Sequence, residues 1–311
     1  MASKKRKKLK PNAHRARIFQ DDSPFILVQK EADQAPDRRR GLINQLEESL
    51  GARVITFFGS FISPFGQIAD ADAEIVESIL AVEHDTPGKI VLILSSAGGQ
   101  ALAAERIVNV CRAYSNNQFE VVVPHAAKSA ATMICFGATK IHMSRTAELG
   151  PVDPQVRLGE NHWISAEEYI RSYDGLMTAA SSGKFARIEP HLQQLARYDA
   201  RQVEQFRSAT KLSEEISVRL LKASMMKGKA DDTIKKNIGL FLSQEQTRAH
   251  GRMIGVDEAK ACGLNINLID LHSPLWETLW ELYTRSSWVV NNRCAKIVES
   301  CVSAVKAGPS P

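Results

Sequence analysis

Apolar positions along this chain follow two rhythms. Residues 89–94 (KIVLIL) and 119–123 (FEVVV) are near-continuous apolar runs, the pattern of strands buried on both faces. A shorter β-rich run covers 53–58, and another short strand is predicted over 140–143. Between them the spacing becomes helical. Ile75, Ile79 and Leu80 mark a helix over 70–82, and 101–114 and 129–137 read as two more. Strands alternating with helices of this length predict βαβ units and a largely parallel sheet with right-handed crossovers.

Outside that stretch the rhythm differs. Residues 35–50 form a polar helix with apolar spacing, an adaptor onto the core. Residues 164–180 and 188–228 are mostly helical, rich in Ala, Gln, Arg and Glu. A last helix is expected over 274–305, with Trp276 and Trp280 at i and i+4 on one face for core packing or an oligomer contact. The division expected is a disordered basic tail (1–20), a main domain (21–270) with a helical insertion at about 156–245, and a C-terminal helical extension (271–311).

Charge changes the picture only at one end. The chain's 311 residues carry a formal charge of +5. Residues 1–17 hold eight Lys or Arg and no acid, so the remainder has 32 basic against 35 acidic residues, about −3. The basic character belongs to a solvated arm, for which nucleic-acid contact is a lesser option. No apolar run reaches the roughly 20 residues of a membrane helix. No secretory signal is read at the start, and a cytoplasmic location is expected. The five cysteines are scattered without a CxxC pair, which supports neither a disulfide framework nor a zinc site. Buried reduced thiols are expected, and no metal.

Two loops carry candidate chemistry. Ser95-Ser96-Ala97-Gly98-Gly99 joins a strand to a helix, where paired glycines allow close backbone approach and free N–H groups can hold an oxyanion. Pro124-His125-Ala126-Ala127-Lys128-Ser129-Ala130-Ala131-Thr132 again joins a buried strand to a helix, with small residues around one serine. Each is ordinary alone: a glycine pair is common at such junctions, and a serine at a helix start is usually an N-cap. Together they sit where neighbouring parallel strands end, the side on which open α/β sheets place their sites. One loop can supply oxyanion donors and the other a hydroxyl, the parts that acyl transfer needs.

The order of strand–SSAGG–helix–strand–AAKSAAT–helix–strand–ELGPVDPQ (148–155), with HGRMIGVDEAKACGLNI at 250–266, resembles the Clp-fold serine peptidases. It is most similar to the SppA-like branch called the serine dehydrogenase proteinase family, over about residues 53–270. The resemblance implies an α/β fold of the ClpP/crotonase type, a parallel-sheet βαβ core with added C-terminal helices. It makes Ser129 the nucleophile of a serine peptidase, with backbone N–H groups of Gly98 or Gly99 and Ala130 as oxyanion hole. It implies a peptide or protein substrate, no cofactor, and a homo-oligomer.

The base is the open position. Where ClpP presents a histidine beside the cleft, this chain has Gly150, Pro151, Val152 and Asp153. SppA-type relatives use a lysine some fifty residues after the serine, and Lys184 in SSGKFARIEP (181–190) stands in the matching place. It would have to be buried enough to lose its proton near neutrality. Lys128 adjoins Ser129 and is placed better to fix the loop or attract substrate. His125 is expected to be structural, His250 to shape a loop or the cleft rim, and Asp153 to cap a turn or orient a base. Other readings are a non-catalytic scaffold that binds peptides and, less favoured, a crotonase-like acyl-CoA enzyme. The family's name is not read as dehydrogenase activity, since no GxGxxG follows a strand.

Overall fold

The computed structural model describes residues 36–82, 88–158, 162–182, 188–243 and 249–310, and statements about absences refer to these. Helix α1 (Pro36–Leu50) leads into β1 (Arg53–Gly59), α2 (Ala71–Val82), β2 (Ile90–Ser95), α3 (Ala101–Tyr114) and β3 (Phe119–Val123). A two-residue strand β4 (Ala126–Ala127) then precedes α4 (Ala130–Gly137) and β5 (Lys140–Met143). With β9 (Ile266–Leu268), β10 (Lys296–Glu299) and β11 (Ala304–Ala307), the central sheet has the order β11-β10-β1-β2-β3-β5-β9. Strands β1, β2, β3, β5 and β9 run parallel.

The period of two along each strand divides the core. Ile55, Phe57, Leu92, Leu94, Val121, Val123 and Ile141 face α2, α3 and α4. Val54, Phe58, Val91, Ile93 and Val122 face the opposite layer, α1 and α11 (Pro274–Asn292). Each crossover from β1 to β5 moves the chain one strand in the same direction, so α2, α3 and α4 share one face. The α/β parallel-sheet core expected from the strand–helix rhythm is present.

The C-terminal segment departs from the expected long helix. Helix α11 stops at Asn292, and β10 (Lys296–Glu299) and β11 (Ala304–Ala307) add to the sheet antiparallel at its β1 edge. Two buried ion pairs hold β10 there. Lys296 Nζ lies 2.8 Å from both Asp72 carboxylate oxygens, and Arg39 of α1 grips Glu299 with two bonds of 2.8 Å. Trp276 and Trp280 stack at 5.7 Å, with Trp276 buried and Trp280 half-exposed.

The insertion opens with a hairpin, β7 (Gln155–Leu158) and β8 (His162–Ser165), paired in antiparallel register. It continues as α5 (Ala166–Ser181), α6 (Glu189–Leu195), α7 (Ala200–Lys222), α8 (Asp231–Asn237) and α9 (Gly239–Leu242). The chain returns through α10 (Val256–Ala261) to β9. Strand β6 (Glu148–Leu149), the last element before the insertion, pairs with β4. The cysteines are all free, and burial pushes the Cys111 thiol up to about 12, leaving it inert. No described helix is long and apolar enough to cross a membrane.

Candidate active site

The loops after β2 and β3 are laced together. Ser96 N–H donates to Ala126 O at 3.1 Å, and Lys128 N–H donates to Ser96 O at 3.0 Å. Gly98, at φ +105°, makes the close approach: a Cβ there would lie 2.7 Å from both Lys128 O and Ser129 Cβ. Its N–H is taken by Ser96 Oγ at 3.1 Å. Ile68 runs alongside, donating to Gly98 O (2.7 Å) and accepting from Gln100 N–H (2.9 Å). That ladder turns the Gly99 N–H away from Ile68. Of the two glycines, Gly99 is therefore the one whose N–H the loop does not use.

Ser129 sits at φ 49°, ψ −119°, a conformation that costs a non-glycine residue of order 1–3 kcal/mol. It is the N-cap residue of α4 by position, yet its side chain makes no capping hydrogen bond. The bland explanation for a serine at a helix start is thereby removed. The strain is held by neighbours: Ser129 N–H donates to Pro151 O at 3.1 Å, and Met133 N–H donates to Ser129 O at 3.1 Å. Ala130 opens α4, so no preceding helical turn accepts from its N–H.

A cleft of about 550 Å³ opens beside these groups. Ser129, Ala130 and Gly99 line it together with His250, Met133 of α4, and Ala209, Leu212 and Ser213 of α7. His250 Nδ1 lies 2.8 Å from Asp153 Oδ1, and Asp153 is only 2% exposed. Gln155 Nε2 donates to the second Asp153 oxygen at 3.0 Å. A carboxylate accepting at Nδ1 holds the imidazole in the tautomer that leaves Nε2 with a lone pair. A hydroxyl on a strained turn, a histidine in the same cleft and a buried carboxylate behind it have the composition of a serine hydrolase triad.

The structure sorts the expected site residues. Ser129, Gly99, Ala130, His250 and Asp153 come together; Gly98 shapes the approach. Lys128 turns away to an ion pair with Glu148 at 2.5 Å, which fits fixing the loop. His125 stacks on Tyr283 at 5.2 Å and meets Phe61 edge-on at 5.7 Å, with no partner for its Nδ1 among the described residues. Burial lowers its pKa. Lys184 lies outside the described residues. No histidine stands in 148–155, and the one that lines the cleft is His250, from the segment after the insertion. Leu149 and Ile254 exchange two backbone bonds of 3.0 Å, which carries the segment after the insertion to the cleft. Sequence reasoning also missed the α7 wall, for which an amphipathic helix of mixed composition gives no local signal. No group of three or more metal-ligating side chains occurs among the described residues.

Part of the chain is similar to known proteins. Residues 29–165 match the family described as ClpP-like SDH-type serine proteinase. Two uncharacterized proteins of Methanocaldococcus jannaschii are similar, one 35% identical over 128 residues and the other 40% identical over 110. Those matches cover 38% and 35% of this chain, and 42% and 35% of the relatives' lengths. Among solved structures, a ClpP1 variant from Listeria monocytogenes aligns at TM-score 0.41 and 18% identity, covering 74% of this chain and 99% of that one. The span that matches this family contains both loops, Ser129 and Asp153.

Proposed function

We propose that this protein is a serine peptidase using Ser129, His250 and Asp153. Ser129 Oγ attacks a peptide carbonyl while His250 Nε2 takes its proton. The oxyanion that forms is held by the N–H groups of Gly99 and Ala130. The imidazolium, steadied by Asp153, returns its proton to the leaving amine, and the C–N bond breaks to give an acyl-enzyme. Water, deprotonated by the same nitrogen, releases the acid and regenerates the hydroxyl. The observation that carries this reading is the pairing of buried Asp153 with His250 in the cleft that Ser129 also lines. Peptide substrate and self-association enter with it, the latter supported by half-exposed Trp280 on α11.

A fluorophosphonate probe tests the reading. Labelling should occur at Ser129 and vanish in Ser129→Ala, and His250→Ala should slow it by about 10⁴-fold, the usual scale for disabling a triad base. Lys184→Ala should label at a normal rate. If Lys184→Ala abolishes labelling and His250→Ala does not, the lysine is the base. No labelling of the wild-type chain would make it a peptide-binding scaffold.

A further inference from the structure

Residues 150–154 carry Asp153, and their backbone is held from two sides. On one side is the nucleophile loop: Gly150 N–H donates to Ala127 O at 3.0 Å, Ser129 N–H to Pro151 O at 3.1 Å, and Thr132 Oγ1 lies 2.8 Å from Gly150 O. On the other side is the helical insertion. Val152 N–H donates to Phe241 O, just before α9 ends, at 2.8 Å, and Ser213 Oγ of α7 donates to Val152 O at 2.8 Å. Val152 is the residue before Asp153, so the insertion occupies both backbone groups next to the carboxylate that holds His250. In sequence the insertion also separates Asp153 from His250.

We propose that α7 is a latch on this pair, with Ser213 a positioning residue that acts through Val152 and Asp153 on His250. The proposal rests on the reading of Asp153 and His250 as the catalytic pair. Segment 150–154 has no helix or strand ladder of its own to set the carboxylate, so its placement depends on these bonds. Ser213 is buried, and it alone among the insertion's contacts to Val152 is a side-chain bond, removable without disturbing backbone. Removing it leaves Val152 O without that donor and loosens Asp153. A displacement of well under an ångström at the base is enough to slow proton transfer. Ser213 also lines the cleft, so direct substrate contact is the competing role.

The test compares Ser213→Ala, Ser213→Thr and Ser217→Ala in the full chain. Ser217 is a control one turn along α7; its hydroxyl donates to Ser213 O at 2.8 Å within the helix. Ser213→Ala should lower kcat on a peptide ester by about tenfold, within the range for modest misplacement, with KM unchanged. Ser213→Thr, which keeps the hydroxyl, should recover most of it, and Ser217→Ala should keep wild-type kcat. Independently of turnover, the downfield proton resonance of His250 Nδ1–H should broaden or vanish in Ser213→Ala and persist in the other two. Unchanged kcat and resonance in Ser213→Ala, a raised KM alone, or equal losses in both alanine variants would each overturn the latch. If the wild-type chain shows no Ser129-dependent labelling, the catalytic reading falls; the His250 resonance still decides whether Ser213 sets the pair.

Discussion

The sheet core and the helical insertion follow different rules of construction. All six residues of β2 and all eight of α4 are buried, so Ser129 stands on fully packed elements. In the insertion, α5 buries only Ala166 and Tyr169, and α6 buries nothing. Its outer part is held by ring contacts such as Tyr169–Phe206 at 5.1 Å and by exposed ion pairs such as Arg207–Asp174. The later part of α7, from Ser213 to Leu221, sinks into the core, as do Ile234, Ile238 and Phe241 after it. Fully packed elements thus carry Ser129, while the wall across the same cleft comes from a helix whose outer neighbours bury little.

The same kind of interaction should therefore cost very different amounts in the two regions. Arg39 and Glu299 are 1% and 0% exposed, and Arg39→Ala would leave a buried carboxylate unpaired. The expected loss is about 3–5 kcal/mol, read as a lower urea midpoint at constant m-value. Arg207→Ala removes a pair whose partners are both half-exposed, and about 0–1 kcal/mol is expected. Equal losses from the two substitutions would break the comparison, because the insertion would then be as tightly built as the core.

A smaller effect sharpens it at the junction of the two loops. Gly98→Ala places a methyl group 2.7 Å from Ser129 Cβ and forces a side chain onto φ +105°. The loop must back away from the nucleophile, and fluorophosphonate labelling should slow by about 100-fold, the cost of misplacing reacting groups by an ångström. Gly175→Ala, on exposed α5 with open space around it, is the matched control and should label normally. Retention of normal labelling in Gly98→Ala would show that the loop adapts, contrary to the packing seen.

How much was legible in the sequence follows the same division. The strands, the two loops and Ser129 could be read because buried parallel strands and strand–glycine–helix junctions are local patterns a few residues long. Helix α11 was overextended because residues 293–305 carry no turn signal strong enough to mark the change. What turns them into sheet is non-local, the pairing of Lys296 with Asp72 and of Glu299 with Arg39. The Asp153–His250 pairing was hidden for a related reason. Asp153 and His250 meet across 97 residues, and neither the Pro-flanked aspartate nor the HGR turn announces a partner. Ser213 was invisible, since one serine in a long amphipathic helix resembles any other.

The weakest expected effect concerns pH and again separates structural from catalytic histidines. His125 stacks on Tyr283, with Phe61 edge-on and Glu148 and Lys128 as the charged groups that influence it. Burial lowers its pKa from the ordinary 6.5; Glu148 pulls the other way, and Lys128 adds to the lowering. The folded state then binds that proton less readily than the unfolded chain does. The stability this provides is fully present above pH 6.5 and is lost as pH falls from there through the lowered value. His142, which is also buried and lowered, has the same sign but is present in both proteins compared. His125→Phe keeps a flat ring against Tyr283 and cannot bind a proton. Its melting temperature should therefore fall less than that of the wild type between pH 7 and pH 5, although the two proteins unfold similarly at pH 8. Labelling of Ser129 at pH 8 should be unaffected, because the ring belongs to the aromatic cluster and not to the cleft. Parallel melting curves across that range would place the acid sensitivity elsewhere, with the buried Glu120–His142 pair as the next group to substitute.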